Sequence, residues 1–180
     1  MLRNSRAIGF LIVAAVSVWP TNTLRADTTA TTEFCVTVGT ALSVIAPVAT
    51  VPLTHDGLSG IKEFAPAVMT VISNDVDGAT CTFETTTAMV HQTLPLEKRD
   101  IGLSLAVLTT DPAAAWAVTA ATDQTDFGNL IPDETATVVA ESTGPGNATL
   151  ALVISFITGD ESTLIPGDYC ATITATITAK

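Results

Sequence analysis

The last fourteen residues, 167–180, alternate strictly between two kinds of side chain and constrain the fold more than any other stretch. Tyr169, Ile173 and Ile177, with the alanines between them, fall on one side of an extended chain. Cys170 and the threonines fall on the other side. This period of two, with β-branched residues after a Pro-Gly turn, predicts a half-buried β-strand. Because one strand cannot bury its apolar side alone, the rest of the chain must supply a sheet and a second layer.

Turn-forming residues divide the rest of the chain into short apolar segments. The clearest pair is Ala67–Ser73 and Ala79–Thr86, which the Asn74–Gly78 turn joins into a predicted hairpin. About eight or nine strands in all predict an all-β fold, an antiparallel β-sandwich of the Ig-like type. The side chains expected in its core are Val36, Val38, Ile72, Phe83, Leu103, Leu105, Trp116, Leu150, Leu152, Ile154, Phe156, Tyr169, Ile173 and Ile177.

Two N-terminal segments predict peripheral strands. Phe34–Val38 alternates apolar and polar residues and predicts the first strand. Residues 41–53 are mostly apolar but contain Pro47 and Pro52. Because proline has no backbone N–H to donate, this segment predicts an edge strand or a broken pair of short strands.

The first 26 residues predict an export signal. Arg3 and Arg6 precede an apolar run, Phe10–Trp19, that is too short to span a bilayer as a helix, which takes about 20 residues. Cleavage after Ala26 would leave residues 27–180 as a single secreted domain, at the cell surface or in the periplasm. No later apolar run in the sequence predicts an integral membrane span.

The charge of the chain restricts its partners. The formal net charge is −11, and cleavage after Ala26 would remove three of the seven basic residues and none of the 18 acidic ones. That leaves 4 basic against 18 acidic residues, a net charge of −14. Nucleic acids and anionic membrane surfaces are therefore unfavourable partners, because both attract clusters of Lys or Arg.

Three cysteines in an exported chain predict one disulfide and one remaining thiol. Cys35 and Cys170 lie on the polar sides of their predicted strands, near the two ends of the domain, and are the preferred pair. Cys81 shares a face with Phe83, where a small buried side chain would lie, and Cys81 with Cys170 is the alternative pair. Three free thiols, or a bridge between subunits, stay open as well.

One segment partly matches a calcium-binding loop. Asp75, Asp77 and Glu84 occupy the third, fifth and twelfth positions of a pattern that would start at Ser73. Serine replaces the first aspartate, and the flanks predict strands where the motif has helices. An Asp-Gly turn explains the same residues more simply.

The sequence has no recognisable catalytic arrangement. His55 and His91 are its two histidines, and neither has a cysteine or second histidine at metal-ligand spacing. It contains no Gly-x-Ser-x-Gly motif and no phosphate-binding loop. A platform for stacking sugars would need exposed rings, for which Phe64 and Phe127 are the candidates. The sequence therefore predicts a protein that is not an enzyme and has no cofactor.

Two segments resemble the WxL-type surface domains of bacteria. Trp116-Ala-Val118 is similar to the first Trp-x-Leu motif, with Val in place of Leu. Tyr169–Ile177 is similar to the terminal Tyr-x-Ala-x-Ile-x-Trp-x-Leu segment, although Ala175 stands in place of the Trp. The resemblance covers roughly the C-terminal third and implies non-covalent attachment to a polymer of the cell envelope. The residues that carry it are Trp116, Val118, Tyr169, Ile173 and Ile177.

The Pro-Gly-x-Tyr sequence at 166–169 and the alternating threonines also resemble spore coat protein U and the archaic chaperone–usher fimbrial subunits. This resemblance implies that copies exchange a strand, with Asp27–Val38 as the donor. The sequence thus predicts a non-catalytic, exported structural or adhesive component of a bacterial surface. It would bind an envelope polymer or other copies of itself. The alternative is an extracellular module that binds calcium or carbohydrate through Asp-rich loops.

Overall fold

The structure is a computed structural model that describes residues 35–46 and 51–180. These residues contain twelve β-strands and one short 3₁₀ helix, η1 (Glu161–Thr163). No helix among them is long and apolar enough to cross a bilayer. Residues 38–180 form one compact unit. The strands are β1 (Leu42–Ile45), β2 (Ile61–Glu63), β3 (Ala67–Ser73), β4 (Ala79–Thr85), β5 (Met89–His91), β6 (Lys98–Thr110), β7 (Ala117–Ala120), β8 (Thr122–Gln124), β9 (Ala136–Glu141), β10 (Gly146–Ile157), β11 (Tyr169–Cys170) and β12 (Thr174–Ala179).

The described strands form two antiparallel sheets. The larger sheet has the order β1-β3-β10-β6-β5-β11, with β2 beside β10 and β8 beside β6. The smaller sheet has the order β12-β4-β9-β7. The predicted all-β sandwich is therefore confirmed. The described part has more strands than the eight or nine predicted because several of them, such as β5 and β8, have only three residues, too few to show a period.

The core lies between the two sheets. Phe83 and Val138 of the smaller sheet and Ile101 and Leu150 of the larger sheet are completely buried and belong to one cluster. Burial alternates along β4 and β9, as the period of two requires for strands with one face on the core. Each of these large side chains contributes roughly 1.5–3 kcal/mol by leaving water.

Most of the predicted core is confirmed. Seven of its members are buried: Phe83, Leu103, Leu105, Trp116, Leu150, Leu152 and Phe156. Four more are partly buried against the cluster: Ile154, Tyr169, Ile173 and Ile177. Ile72 is not among them, because β3 has the opposite alternation and buries Met69 and Val71 instead.

The predicted first strand is wrong over the residues that the structure describes. Residues 35–38 form no strand, and Val36 and Val38 are 87% and 76% exposed rather than in the core. Phe34, the remaining residue of that prediction, lies outside the described residues. The first strand among the described residues is β1, which is an edge strand, one of the two arrangements predicted for the segment 41–53. Residues 47–50 of that segment lie outside the described residues.

The predicted hairpin at residues 67–86 is also wrong, although both of its strands exist. β3 pairs with β1 and β10 in the larger sheet, whereas β4 pairs with β12 and β9 in the smaller one. The Asn74–Gly78 segment therefore crosses between the layers. Gly78 is needed there because its φ is +91° and a Cβ would lie 2.7 Å from the carbonyl carbon of Ser142.

The alternating C-terminal segment forms two strands in different sheets. β11 pairs with β5 in the larger sheet, and β12 pairs with β4 in the smaller sheet. Between them, Ala171 and Ile173 are partly buried against the core. The four residue steps from Cys170 to Thr174 span roughly 13 Å of extended chain, which is enough to cross the roughly 10 Å between packed sheets. The predicted period of two is confirmed, but the single continuous strand is not.

Candidate functional site

A cleft of about 900 Å³ lies between the end of β10, β11 and the segments 51–57 and 161–168. Strand pairing assembles it from distant parts of the chain. β2 pairs with the last residues of β10 and brings Phe64 beside it, where its backbone N–H donates to Ile154 O at 2.9 Å. β11 pairs with β5, which places Tyr169 opposite His91.

Four rings form a continuous row, and three of them, those of His55, Phe156 and Tyr169, line the cleft. The ring centroids of His55 and Phe156 are 5.7 Å apart, those of Phe156 and Tyr169 are 5.5 Å apart, and those of Tyr169 and His91 are 5.0 Å apart. All three pairs meet edge to face, the arrangement that contributes about 0.5–1.5 kcal/mol per pair beyond burial. The Tyr169 hydroxyl donates to the carbonyl oxygen of Ile165 at 3.1 Å, which fixes the ring further.

His91 is held on both ring nitrogens. Only 3% of the residue is exposed. Nδ1 accepts the backbone N–H groups of Thr93 and Leu94 at 3.2 and 3.1 Å, and Nε2 lies 3.2 Å from the carbonyl oxygen of Pro166. Because a carbonyl oxygen only accepts, these partners assign the proton to Nε2.

His55 has the same arrangement at the other end of the row. Its Nδ1 accepts the backbone N–H of Gly57 at 3.0 Å, and its Nε2 lies 2.8 Å from Oγ1 of the buried Thr158. Both histidines therefore use their nitrogens to brace the cleft. Nothing in the sequence indicated that the two histidines belong to one site, because a local pattern cannot relate residues that are 36 positions apart.

The structure does not bring the three carboxylates of the predicted calcium loop together. Asp75 and Asp77 lie in the crossing between β3 and β4, where Oδ1 of Asp75 accepts the N–H of Asp77 at 3.0 Å. Glu84 lies near the far end of β4, roughly 20 Å along the extended strand from Gly78. Among the described residues, no three His, Cys, Asp or Glu side chains are grouped so that they could hold a metal ion.

The two segments that resemble WxL domains end at opposite edges of the smaller sheet. Val118 lies in β7 and Ile177 in β12, and the two strands between them separate these edges by roughly 14 Å. Trp116 is 4% exposed, and its backbone N–H donates to Oγ1 of Thr110 at 3.0 Å. Tyr169 lines the cleft instead. Ile173 packs on the core between β11 and β12.

The cysteines differ in their surroundings. Cys81 is completely buried in β4, and burial raises the pKa of its thiol to about 12. Cys170 is exposed in β11 at the cleft. No disulfide is seen in the part of the chain that the structure describes. The Cys35–Cys170 and Cys81–Cys170 pairings therefore stay predictions for the oxidised protein.

The two rings suggested as a sugar platform lie in different places. Phe64 lines the cleft, whereas Phe127 lies beneath the Nζ of Lys98, which is 5.1 Å from its ring centroid. Lys98 also pairs with Glu134 at 2.6 Å. No protein-family model matches this chain, and no curated protein matches it in sequence.

Proposed function

We propose that this protein is a non-catalytic structural or adhesive component of a bacterial surface, and that copies of it assemble by strand addition. The observation that supports this proposal most is the outer edge of β12. Among the described residues, this strand ends the smaller sheet and pairs on one side only, with β4. An unpaired edge presents a row of backbone N–H and C=O groups that another chain can use.

The edge of β12 lacks the features that usually block such pairing. Its register with β4 runs from Thr174 to Ala179 without a bulge, and the strand contains neither proline nor a charged residue. No described backbone group outside the β4 ladder bonds to it. β1 lies near β12 but is hydrogen-bonded in the other sheet. By contrast β7, at the opposite edge, carries a register shift between Val118 and Ala120.

The segment around Val36 and Val38 fits the role of the added strand. Residues 35–41 form no strand, and the two valine side chains are 87% and 76% exposed. In an extended chain they would lie on the same side, two positions apart, as the apolar face of a strand requires. Main-chain hydrogen bonds to β12 of another copy would supply affinity, and the valines would bury apolar area.

Sedimentation velocity over a range of concentrations, with electron microscopy of the same samples, tests this proposal on protein purified from the exported fraction. The wild type is expected to form concentration-dependent multimers. The double variant Thr174→Lys, Thr176→Lys places positive charge on the edge strand, which disfavours pairing with another strand. It is expected to raise the concentration at half-assembly about tenfold or more, equivalent to a loss of about 1.4 kcal/mol in association free energy. Val36→Asp with Val38→Asp should do the same from the donor side.

A matched control adds the same charge to the same sheet without touching an edge. Thr80→Lys with Thr82→Lys lies on β4, which is paired on both sides. This variant is expected to assemble like the wild type. A wild type that stays monomeric at all concentrations would refute the proposal, as would edge and control variants that assemble equally.

A further inference from the structure

We propose that the cleft is a docking site for a basic segment of a partner polypeptide, one that carries a Lys or Arg side chain beside an apolar residue. This inference does not depend on strand addition at β12. It rests on the lining of the cleft and on the distribution of charge over the molecule.

The apolar part of the cleft suits the stem of a long side chain. The rings of Phe64, Phe156 and Tyr169 line it, together with the side chain of Leu53, which is 38% exposed. A volume of about 900 Å³ is within the range of clefts that enclose a drug-sized group, which leaves room for a long side chain and its neighbour. Lysine and arginine pack their methylene groups on such surfaces while the charged group stays near water.

The polar part of the cleft is acidic. Glu161 and Asp168 line it, and neither carboxylate accepts a hydrogen bond or pairs with a cation among the described residues. None of the Lys or Arg residues that the structure describes lines the cleft. An aromatic surface beside carboxylates attracts a cation through two interactions: the cation–π interaction with the rings and the Coulomb attraction of the negative charges.

Every basic side chain that the structure describes already has a partner outside this cleft. Lys62 pairs with Asp56 at 2.8 Å, Lys98 with Glu134 at 2.6 Å and Lys180 with Glu141 at 2.5 Å. Arg99 donates to the carbonyl oxygens of Thr163 and Lys98. These four are the basic residues of the segment 35–180.

A second copy is therefore a poor occupant of the cleft. Its described basic groups are already engaged, so it has no free cation to offer to Glu161 and Asp168. A basic partner supplies such a cation and is attracted to the acidic protein from a distance. Charge complementarity thus selects a different, basic polypeptide.

The single tyrosine of the sequence provides a reporter inside the cleft. Protein grown with 3-fluorotyrosine has one ¹⁹F resonance, from Tyr169. We would titrate it with acetyl-Lys-Leu-Lys-Leu-Lys-amide, with the same peptide carrying Glu in place of Lys, and with the trimer of N-acetylglucosamine. The basic peptide is expected to shift the resonance saturably, and added salt is expected to weaken this binding. The acidic peptide and the sugar are expected to cause no shift.

Two pairs of substitutions separate the site from general charge. Glu161→Gln with Asp168→Asn is expected to weaken binding of the basic peptide by about 2- to 25-fold, since an exposed ion pair is worth about 1.4- to 5-fold in affinity. Asp77→Asn with Glu84→Gln makes the same charge change away from the cleft and should leave the affinity unchanged. The inference is overturned by the absence of a saturable shift, by equal binding of the acidic peptide, by binding of the sugar alone, or by equal affinities of the two variants.

Discussion

Replacing Gly167 with alanine tests how tightly the cleft is packed. The φ of Gly167 is +152°, which residues with side chains rarely adopt and which costs them roughly 1–2 kcal/mol. A Cβ there would also lie 2.7 Å from Cε1 of His91 and closer still to Nε2. The imidazole cannot move aside freely, because both nitrogens are hydrogen-bonded and Tyr169 packs on it at 5.0 Å. Overpacking of this kind costs about 1–3 kcal/mol, so the expected loss is about 2–5 kcal/mol.

Urea and thermal unfolding measure this loss. For a domain of this size each kcal/mol lowers Tm by about 2–4 °C, so Gly167→Ala should lower it by roughly 4–20 °C. Two other glycines serve as controls. Gly159 has φ +66°, and a Cβ at that position would have no atom within 4 Å, so Gly159→Ala incurs the backbone cost alone. Gly128 has neither a positive φ nor an atom within 4 Å of the added Cβ, so Gly128→Ala is the reference for a Gly→Ala change without strain.

A double-mutant cycle isolates the contact with His91. In a His91→Ala background the obstacle is gone, and Gly167→Ala should then cost about 1–3 kcal/mol less than it does in the wild type. If Gly167→Ala costs no more than Gly159→Ala in the wild type as well, the packing of the imidazole against residue 167 is refuted.

Two further predictions concern titrating groups. In reduced, folded protein at pH 8, iodoacetamide should label the exposed Cys170 and spare Cys81, because burial raises the pKa of the Cys81 thiol to about 12. Peptide mapping that finds equal labelling of the two cysteines would contradict this prediction. The side-chain hydrogen bond from Ser162 lowers the pKa of Asp160. A carboxyl with a lowered folded pKa stabilises the fold above its unfolded pKa of about 3.9, and this stability is lost as pH falls through the folded value. Asp160→Asn should therefore reduce the fall of Tm at acidic pH. The same fall of Tm in this variant as in the wild type would contradict the lowered pKa of Asp160.

Periodicity predicted the strands well where they are long and half-buried. The bounds of β3 and the alternation of β4 and β10 follow directly from their side chains. β5 was missed because three residues are too few to show a period, although they form a hairpin with the start of β6. Val36 and Val38 show the opposite failure, because their alternation is that of a strand while they lie exposed outside both sheets.

The cleft could not be predicted for a different reason. The cleft is lined by residues that are far apart in the sequence and come together only through the pairing of strands. They are residues 51–57, Phe64, Gln92, Phe156 and 161–170. The strands that hold them in place, β2 and β11, have three and two residues. Propensity carries almost no information over such lengths, so tertiary packing determines whether they form.

The C-terminal segment shows why a period of two leaves the topology open. Alternation states only that one side of the chain faces the core, and both sheets of a sandwich face the same core. A chain that leaves one sheet at Cys170 and joins the other at Thr174 can therefore keep Tyr169, Ile173 and Ile177 on its inner side throughout. The Pro-Gly turn marks where such a segment begins, but no residue marks the crossing. One short segment thereby contributes the ring of Tyr169 to the cleft and, five residues later, begins the open edge proposed for assembly.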